Sequence, residues 1–169
     1  MVTDLLLSAV LLICLYTDIK YKKIYNVVTL PAVLVAIIAN LYLHGLNGGI
    51  DSVKGLVFGL GLLFIPFVMG GLGAGDVKLL GIIGAFKGPE FVWWTFLYMA
   101  ITGGLISLGI MAKSRNISFR LKAILFTLLS FIGITPKINY LETIESSAAL
   151  TFPYGIAITA GAVIAYLLR

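Results

Sequence analysis

Two aspartates, Asp18 and Asp76, are the residues of this sequence best suited to catalysis. Each lies at the edge of a strongly apolar run, where a carboxylate is costly to desolvate, so an acid there is a functional-site hypothesis by default. Two carboxylates held close together in a poorly hydrated site share one proton. Such a pair can activate water as a general base and protonate a leaving amide. The two positions therefore predict acid–base hydrolysis, provided that the fold brings them together.

A simpler interpretation of these acids stays open at this point. Each aspartate could be unrelated to the other and neutralised by a nearby lysine, Asp18 by Lys20 or Lys22 and Asp76 by Lys78. The sequence spacing alone does not choose between the pair and this alternative.

The sequence has too few suitable residues for other kinds of catalytic or metal site. Asp4 and Asp51 begin a span or occupy a polar turn, where we expect solvation or helix capping. The single histidine, His44, and the single cysteine, Cys14, are too few for a Ser-His-Asp set or a cysteine-ligated metal. The glycine-rich stretch at 71–75 lacks the Gly-Lys-Ser/Thr ending of a phosphate-binding loop. We therefore expect no metal, no cofactor and no nucleotide.

The composition predicts an integral membrane protein. The 169 residues are 60% hydrophobic and 11% charged, whereas soluble domains are about 45–50% apolar and about 25% charged. The length suits one domain, and no basic region precedes the first apolar run as it would in a cleavable signal peptide. The net charge of +5 could suggest a nucleic-acid partner. In a membrane protein, however, basic residues mainly determine the orientation in the bilayer, so we do not expect such a partner.

The apolar runs predict an all-α polytopic fold of about six transmembrane helices. The predicted spans are Val2–Tyr16 (continuing past Asp18), Val27–Leu43, Val53–Met69, Val77–Phe86, Phe91–Ala112 and Phe152–Leu168. The fourth is too short to cross alone; it must lengthen through its flanking charges, thin the bilayer or stay buried among neighbours.

Several features within and between these spans have expected roles. His44–Asp51 is a predicted turn, Gly55 and Gly59 are spaced for close helix packing, and Pro66 is a predicted kink. Residues 117–131 have apolar positions at helical spacing beside basic residues, which predicts an amphipathic helix in the membrane interface. A seventh span is the alternative for that segment.

The basic residues predict the orientation. With six spans and the N-terminus outside, nine basic residues fall on the inner side and three on the outer side. By the positive-inside rule this arrangement is favoured, and it places both Asp18 and Asp76 at the cytoplasmic edge of the cell membrane. The inner residues are Lys20, Lys22, Lys23, Lys78, Lys113, Arg115, Arg120, Lys122 and Lys137, and the outer ones are Lys54, Lys87 and Arg169.

Three short motifs resemble those of the type IV prepilin peptidases. Asp18 is followed by a basic run and then Ile-Tyr-Asn at 24–26, where the family has Ile-Pro-Asn, so Tyr25 is a departure. Gly-Ala-Gly-Asp-Val-Lys at 73–78 resembles the family's GxGD motif, and Phe-Pro-Tyr-Gly-Ile-Ala at 152–157 resembles its late segment. Together, in this order, they cover nearly the whole chain.

The resemblance implies an intramembrane aspartyl endopeptidase with catalytic positions at Asp18 and Asp76. Its substrate would be a prepilin, a prepilin-like protein or a preflagellin, cleaved after a short basic leader. Bifunctional members add an N-terminal region with paired Cys-x-x-Cys motifs and also methylate the pilin. We expect no such methyltransferase or zinc region here, as in the short forms of Flp/tight-adherence pili or archaeal preflagellin peptidases.

The same motifs supply candidate supporting residues. We expect Gly73 and Gly75 to allow backbone approach to an extended substrate. Lys78 is expected to snorkel toward water or, less favoured, to promote ionisation of Asp76. Asn26 is expected to cap the second helix, or else to hydrogen-bond the loop that carries Asp18.

The late motif adds Pro153 and Tyr154, and Tyr154 is expected either to touch substrate or to anchor the last span. A different class of protein stays open beside the peptidase: a small proton- or cation-coupled transporter with Asp18 and Asp76 as its relay. A non-catalytic membrane scaffold is a third possibility.

Overall fold

The structure is a computed structural model that describes residues 2–113 and 154–168. The regular secondary structure of this described part is helical, in α1 (Val2–Tyr21), α2 (Asn26–Val68), α3 (Ala74–Lys87), α4 (Pro89–Lys113) and α5 (Tyr154–Leu167). The predicted all-α fold is confirmed for these residues. The segment 117–131, predicted to be interfacial or a seventh span, lies outside them.

The chain divides into two compact units. The first comprises Met1–Gly103 and Pro153–Arg169, so it contains α1, α2, α3, most of α4 and α5. The second comprises Gly104–Phe152, of which the described part is the C-terminal portion of α4. Both candidate aspartates belong to the first unit.

Three of the described helices are long and apolar enough to cross a membrane: α1, α2 and the Pro89–Gly109 part of α4. Helix α5 is apolar but shorter. The outer surface carries large apolar side chains, among them Leu5 and Leu30, and Val27 is 84% exposed. Because such a surface is unfavourable in water, these features fit a membrane protein. Helix α1 runs past Asp18 to Tyr21, as the sequence predicted.

Helix α2 is broken at Gly45 into two arms, 26–44 and 46–68. Gly45 has φ 67° and ψ −159°, a conformation that glycine adopts without a steric penalty. Asn40 and Ser52 both donate hydrogen bonds to the carbonyl oxygen of Ala85, although in a straight helix they would lie about 18 Å apart. The chain therefore turns back at Gly45. The predicted turn at His44–Asp51 is correct in place but wrong in extent, because helix resumes directly after one residue.

Helix α3 lies at the centre of the bundle, between the two arms of α2. Every residue from Leu79 to Phe86 is buried. A Cβ on Gly55 would overlap the backbone of Gly84, and one on Gly59 would lie 2.6 Å from the carbonyl oxygen of Leu80. The close packing predicted for these two glycines is confirmed. Of the three seatings considered for this short segment, the structure shows a helix that includes Asp76 and Lys87 and is buried among its neighbours.

The end of α3 far from Asp76 is held by polar side chains. Asn40 Nδ2 donates to the carbonyl oxygens of Ala85 (3.0 Å) and Phe86 (3.2 Å), which a helix end otherwise leaves without an intrahelical partner. Lys87 forms an ion pair with Asp4, and its Nζ lies 4.8 Å from the ring centre of Tyr166. The expectation that Asp4 is solvated is wrong, because this carboxylate joins α1 to α3. Its role at the start of its own helix stays a prediction.

The break within α2 lies at Gly45, and the helix passes through Pro66 and ends two residues later at Val68. The kink at Pro66 stays a prediction.

Candidate active site

Asp18 lies in the last turn of α1, where the helix is about to end. Its residue surface is only 8% exposed, because α1 packs against both α3 and α5. Its Oδ2 accepts a hydrogen bond of 3.1 Å from the main-chain N–H of Gly155, in the first turn of α5. Lys22, with φ 51°, then turns the chain away, and its N–H donates to the Asp18 carbonyl oxygen at 2.8 Å.

Asp76 lies in the first turn of α3 and is 7% exposed. Gly73, with φ −80° and ψ 150°, is the N-cap residue, and its N–H donates to Asp76 Oδ2 at 3.1 Å. A carboxylate at the third helical position that reaches back to the N-cap N–H is one half of a capping box. The glycine-rich stretch therefore starts the helix and fixes the carboxylate with the same hydrogen bond.

The two carboxylates lie at the same end of the bundle. The ion pair between Asp4 and Lys87 joins the start of α1 to the end of α3, so these helices run in opposite directions. Asp18 and Asp76 are at the other ends of the same two helices, and their side chains interact electrostatically. The fold thus brings together the two residues that the sequence selected.

Two of the three lysines proposed to neutralise these acids have other hydrogen-bond partners. Lys20 Nζ donates to the Tyr16 hydroxyl at 3.1 Å, and Lys78 Nζ donates to Asn26 Oδ1 at 2.7 Å. The bond from Lys78 corrects the expectation for Asn26. Asn26 does not cap α2, whose N-cap is Tyr25 without a side-chain cap hydrogen bond. Asn26 instead ties the start of α2 to the first turn of α3.

The two motif glycines stand where side chains would crowd the site. A Cβ on Gly73 would lie 3.3 Å from Asp76 Oδ2, and one on Gly75 would lie 3.1 Å from the Cβ of Ile24. Ile24 belongs to the connection that leaves Asp18, so Gly75 allows this connection to pack against the start of α3. Their expected approach to a substrate strand stays a prediction.

The late motif contributes through a residue that the sequence reasoning missed. Pro153 lies outside the described residues, and Tyr154 begins α5 with 39% of its surface exposed. It is Gly155, beside them in the motif, whose N–H contacts Asp18. A main-chain donor leaves no side-chain pattern, so the only available signal was the position of this glycine at the start of an apolar run.

The arrangement is a pair of buried carboxylates on two helices, each held through one oxygen by a main-chain N–H. Such a pair can exchange protons with a water and with the groups of a scissile amide. The fold and the site thus define a helical membrane protein with an aspartate pair at one end of its bundle.

The sequence model of the type IV leader peptidase family matches residues 5–108, and the chain belongs to that family. It is 33% identical over 120 residues to the prepilin leader peptidase/N-methyltransferase of Pseudomonas aeruginosa. The matched part is 66% of this chain and 40% of that relative. No solved structure matches the chain.

Proposed function

We propose that this protein is a prepilin leader peptidase that uses Asp18 and Asp76 as its catalytic pair. Membership of the type IV leader peptidase family supports the class of reaction. The relative in Pseudomonas aeruginosa is named as a prepilin leader peptidase as well as a methyltransferase. The observation that carries the residue assignment is the pair itself: two buried, interacting carboxylates that both lie within the matched region.

The chemistry follows from one shared proton. The ionised carboxylate of the pair removes a proton from water, whose oxygen attacks the carbonyl carbon of the scissile bond. The protonated carboxyl donates to the departing nitrogen as the C–N bond breaks, and the pair ends with its one proton on the other partner. The products are a leader with a new carboxyl terminus and a mature protein with a new amino terminus.

We place this reaction at the cytoplasmic face of a cell membrane. With the two arms of α2 counted separately, the described residues form six helical segments, and we propose that these are the six membrane passes. The excess of basic residues on the Asp18 and Asp76 side supports a cytoplasmic location for that side. A short basic leader, which stays in the cytoplasm, would then reach the pair without crossing the bilayer.

The substrate is proposed to be a prepilin or a related protein with an apolar helix after its leader. Gly73 and Gly75 are proposed to allow its extended backbone to approach the start of α3, because glycine lets a second main chain come close. In this proposal the chain is a single peptidase domain. Its first compact unit contains all the site residues that the structure describes.

Single substitutions test the pair. We expect D18N and D76N each to abolish cleavage of a co-expressed prepilin while the protein still accumulates in membranes, because an amide cannot take up the proton of water. D51N is the matched control, since Asp51 is exposed and its carboxylate lies 3.9 Å from the exposed Lys54. Retained cleavage in D18N or D76N would refute the pair. Loss of a proton or cation flux in vesicles with normal prepilin processing would favour the transporter.

A further inference from the structure

We infer that Gly155 is a positioning residue for Asp18, so that helix α5 is part of the peptidase site. This inference rests on the proposed function. Its basis is the hydrogen bond of 3.1 Å from the Gly155 N–H to Asp18 Oδ2, between residues that are both buried. The N–H belongs to the first turn of α5, where main-chain donors have no partner inside their own helix.

The absence of a side chain at position 155 is required by Asp18 itself. A Cβ on Gly155 would overlap Asp18 Oδ2 and lie 3.1 Å from Asp18 Cγ. Gly155 is helical and does not have a positive φ, so its backbone conformation does not call for glycine. The glycine is therefore explained by the space that the carboxylate occupies.

The position of this N–H is fixed by the packing of α5 against α4. A Cβ on Gly161 would lie 2.6 Å from the main-chain nitrogen of Met99, so the two helices are in close contact there. Thr102 Oγ1 on α4 also approaches the carbonyl oxygen of Ala157 at 3.4 Å. Helix α5 cannot slide past α4 without breaking these contacts. The position of its first turn, which donates to Asp18, is therefore fixed by packing.

The two carboxylates are thus held in matching ways by different parts of the chain. Asp76 accepts an N–H from the start of its own helix, and Asp18 accepts one from the start of a helix far along the sequence. In each, the hydrogen bond engages one oxygen and leaves the other for the catalytic water. Correct geometry at Asp18 therefore depends on α5, although the family match ends at residue 108.

The first test is G155A in full-length protein reconstituted with a prepilin substrate. The new methyl group must displace the Asp18 carboxylate, and misplacement of a catalytic group by about 1 Å can cost about a hundredfold in rate. We expect kcat to fall by about that factor while KM stays close to that of the unmodified protein, because the substrate contacts are unchanged. The control is G103A on α4, where a Cβ would make an ordinary 3.6 Å contact with Ala157. It should retain the unmodified kcat.

A second variant removes the donor without adding volume. Replacing the Tyr154–Gly155 peptide bond by an ester during cell-free translation into lipid nanodiscs puts glycolic acid in place of glycine, which removes the N–H and adds no side chain. A hydrogen bond to a carboxylate is worth enough to predict a fall in kcat of about ten- to a hundredfold, again with little change in KM. This variant decides the question if G155A does not fold.

The outcomes separate this inference from the proposed function. If the unmodified protein cleaves prepilin and D18N does not, but the ester variant keeps full kcat, Gly155 has no positioning role. A loss that appears in KM alone, or in folded yield alone, also overturns the inference. If D18N itself cleaves normally, the aspartate pair is wrong and the role of Gly155 fails with it.

Discussion

The close contact between α2 and α3 predicts that alanine substitution has opposite effects on stability at two glycines of the second arm of α2. Gly55 is buried against α3, whereas a Cβ on Gly61 would meet nothing within 4 Å. Alanine is the better helix former by up to about 1 kcal/mol. We therefore expect G61A to stabilise the protein slightly and G55A to destabilise it.

The magnitude at Gly55 follows from the distances. A Cβ there would lie 2.7 Å from the carbonyl carbon of Gly84 and 2.8 Å from that of Gly88. Carbon atoms in contact prefer about 3.5–4.0 Å, so α2 and α3 must separate by about 0.7–1.3 Å. The neighbours are main-chain atoms, which cannot rotate away. Overpacking of this kind costs about 1–3 kcal/mol. The gain in helix propensity is common to both substitutions, so G55A and G61A should differ by about 1–3 kcal/mol in free energy of unfolding.

The same displacement should reach the site, because α3 also carries Asp76. A shift of about 1 Å in a catalytic carboxylate predicts a loss of about a hundredfold in prepilin cleavage for the folded G55A protein. Unfolding by SDS in mixed micelles measures the first effect, and cleavage in proteoliposomes measures the second. If G55A and G61A unfold at the same SDS fraction and cleave at equal rates, the close contact between α2 and α3 is refuted.

Two further substitutions test the end of α3 that lies far from the aspartate pair. N40A removes the donor to the Ala85 carbonyl oxygen and should lower the free energy of unfolding by about 1–2 kcal/mol. The control is N47A, which changes an exposed asparagine and should leave the free energy of unfolding unchanged. D4N breaks the partly buried ion pair with Lys87 and should destabilise by about 1–2 kcal/mol in SDS titrations. The kcat of folded D4N should be unchanged, since Asp18 lies about 21 Å along α1 from Asp4 and Asp76 lies about 17 Å along α3 from Lys87. A large fall in kcat would contradict that placement.

Much of this fold could be predicted because apolar runs and glycines act locally. The helical class, the length of α1 past Asp18 and the close packing at Gly55 and Gly59 all follow from composition and spacing, and the structure confirms them. The extent of the turn near Gly45 could not be predicted in this way. Neighbouring polar residues suggested a longer loop, and contacts with α3 instead keep them helical.

Side-chain pairing was the least predictable part of the site. Lys78 follows Asp76 closely in sequence, but it binds Asn26. Asp4 was expected to face water, but it binds Lys87. The partner of a long charged side chain depends on which groups tertiary packing brings within its reach. Sequence separation does not predict these distances.

The sequence by itself determined which two residues are the candidate acids. Isolated carboxylates beside apolar runs are costly, and their motifs resemble those of one family. Only the tertiary structure decided what holds these carboxylates. The Gly155 N–H reaches Asp18 because α5 packs on α4 beside the end of α1, and the Gly73 N–H reaches Asp76 because α3 starts between the arms of α2. Main-chain donors are identical at nearly every residue, so their partners are set by the path of the chain through space.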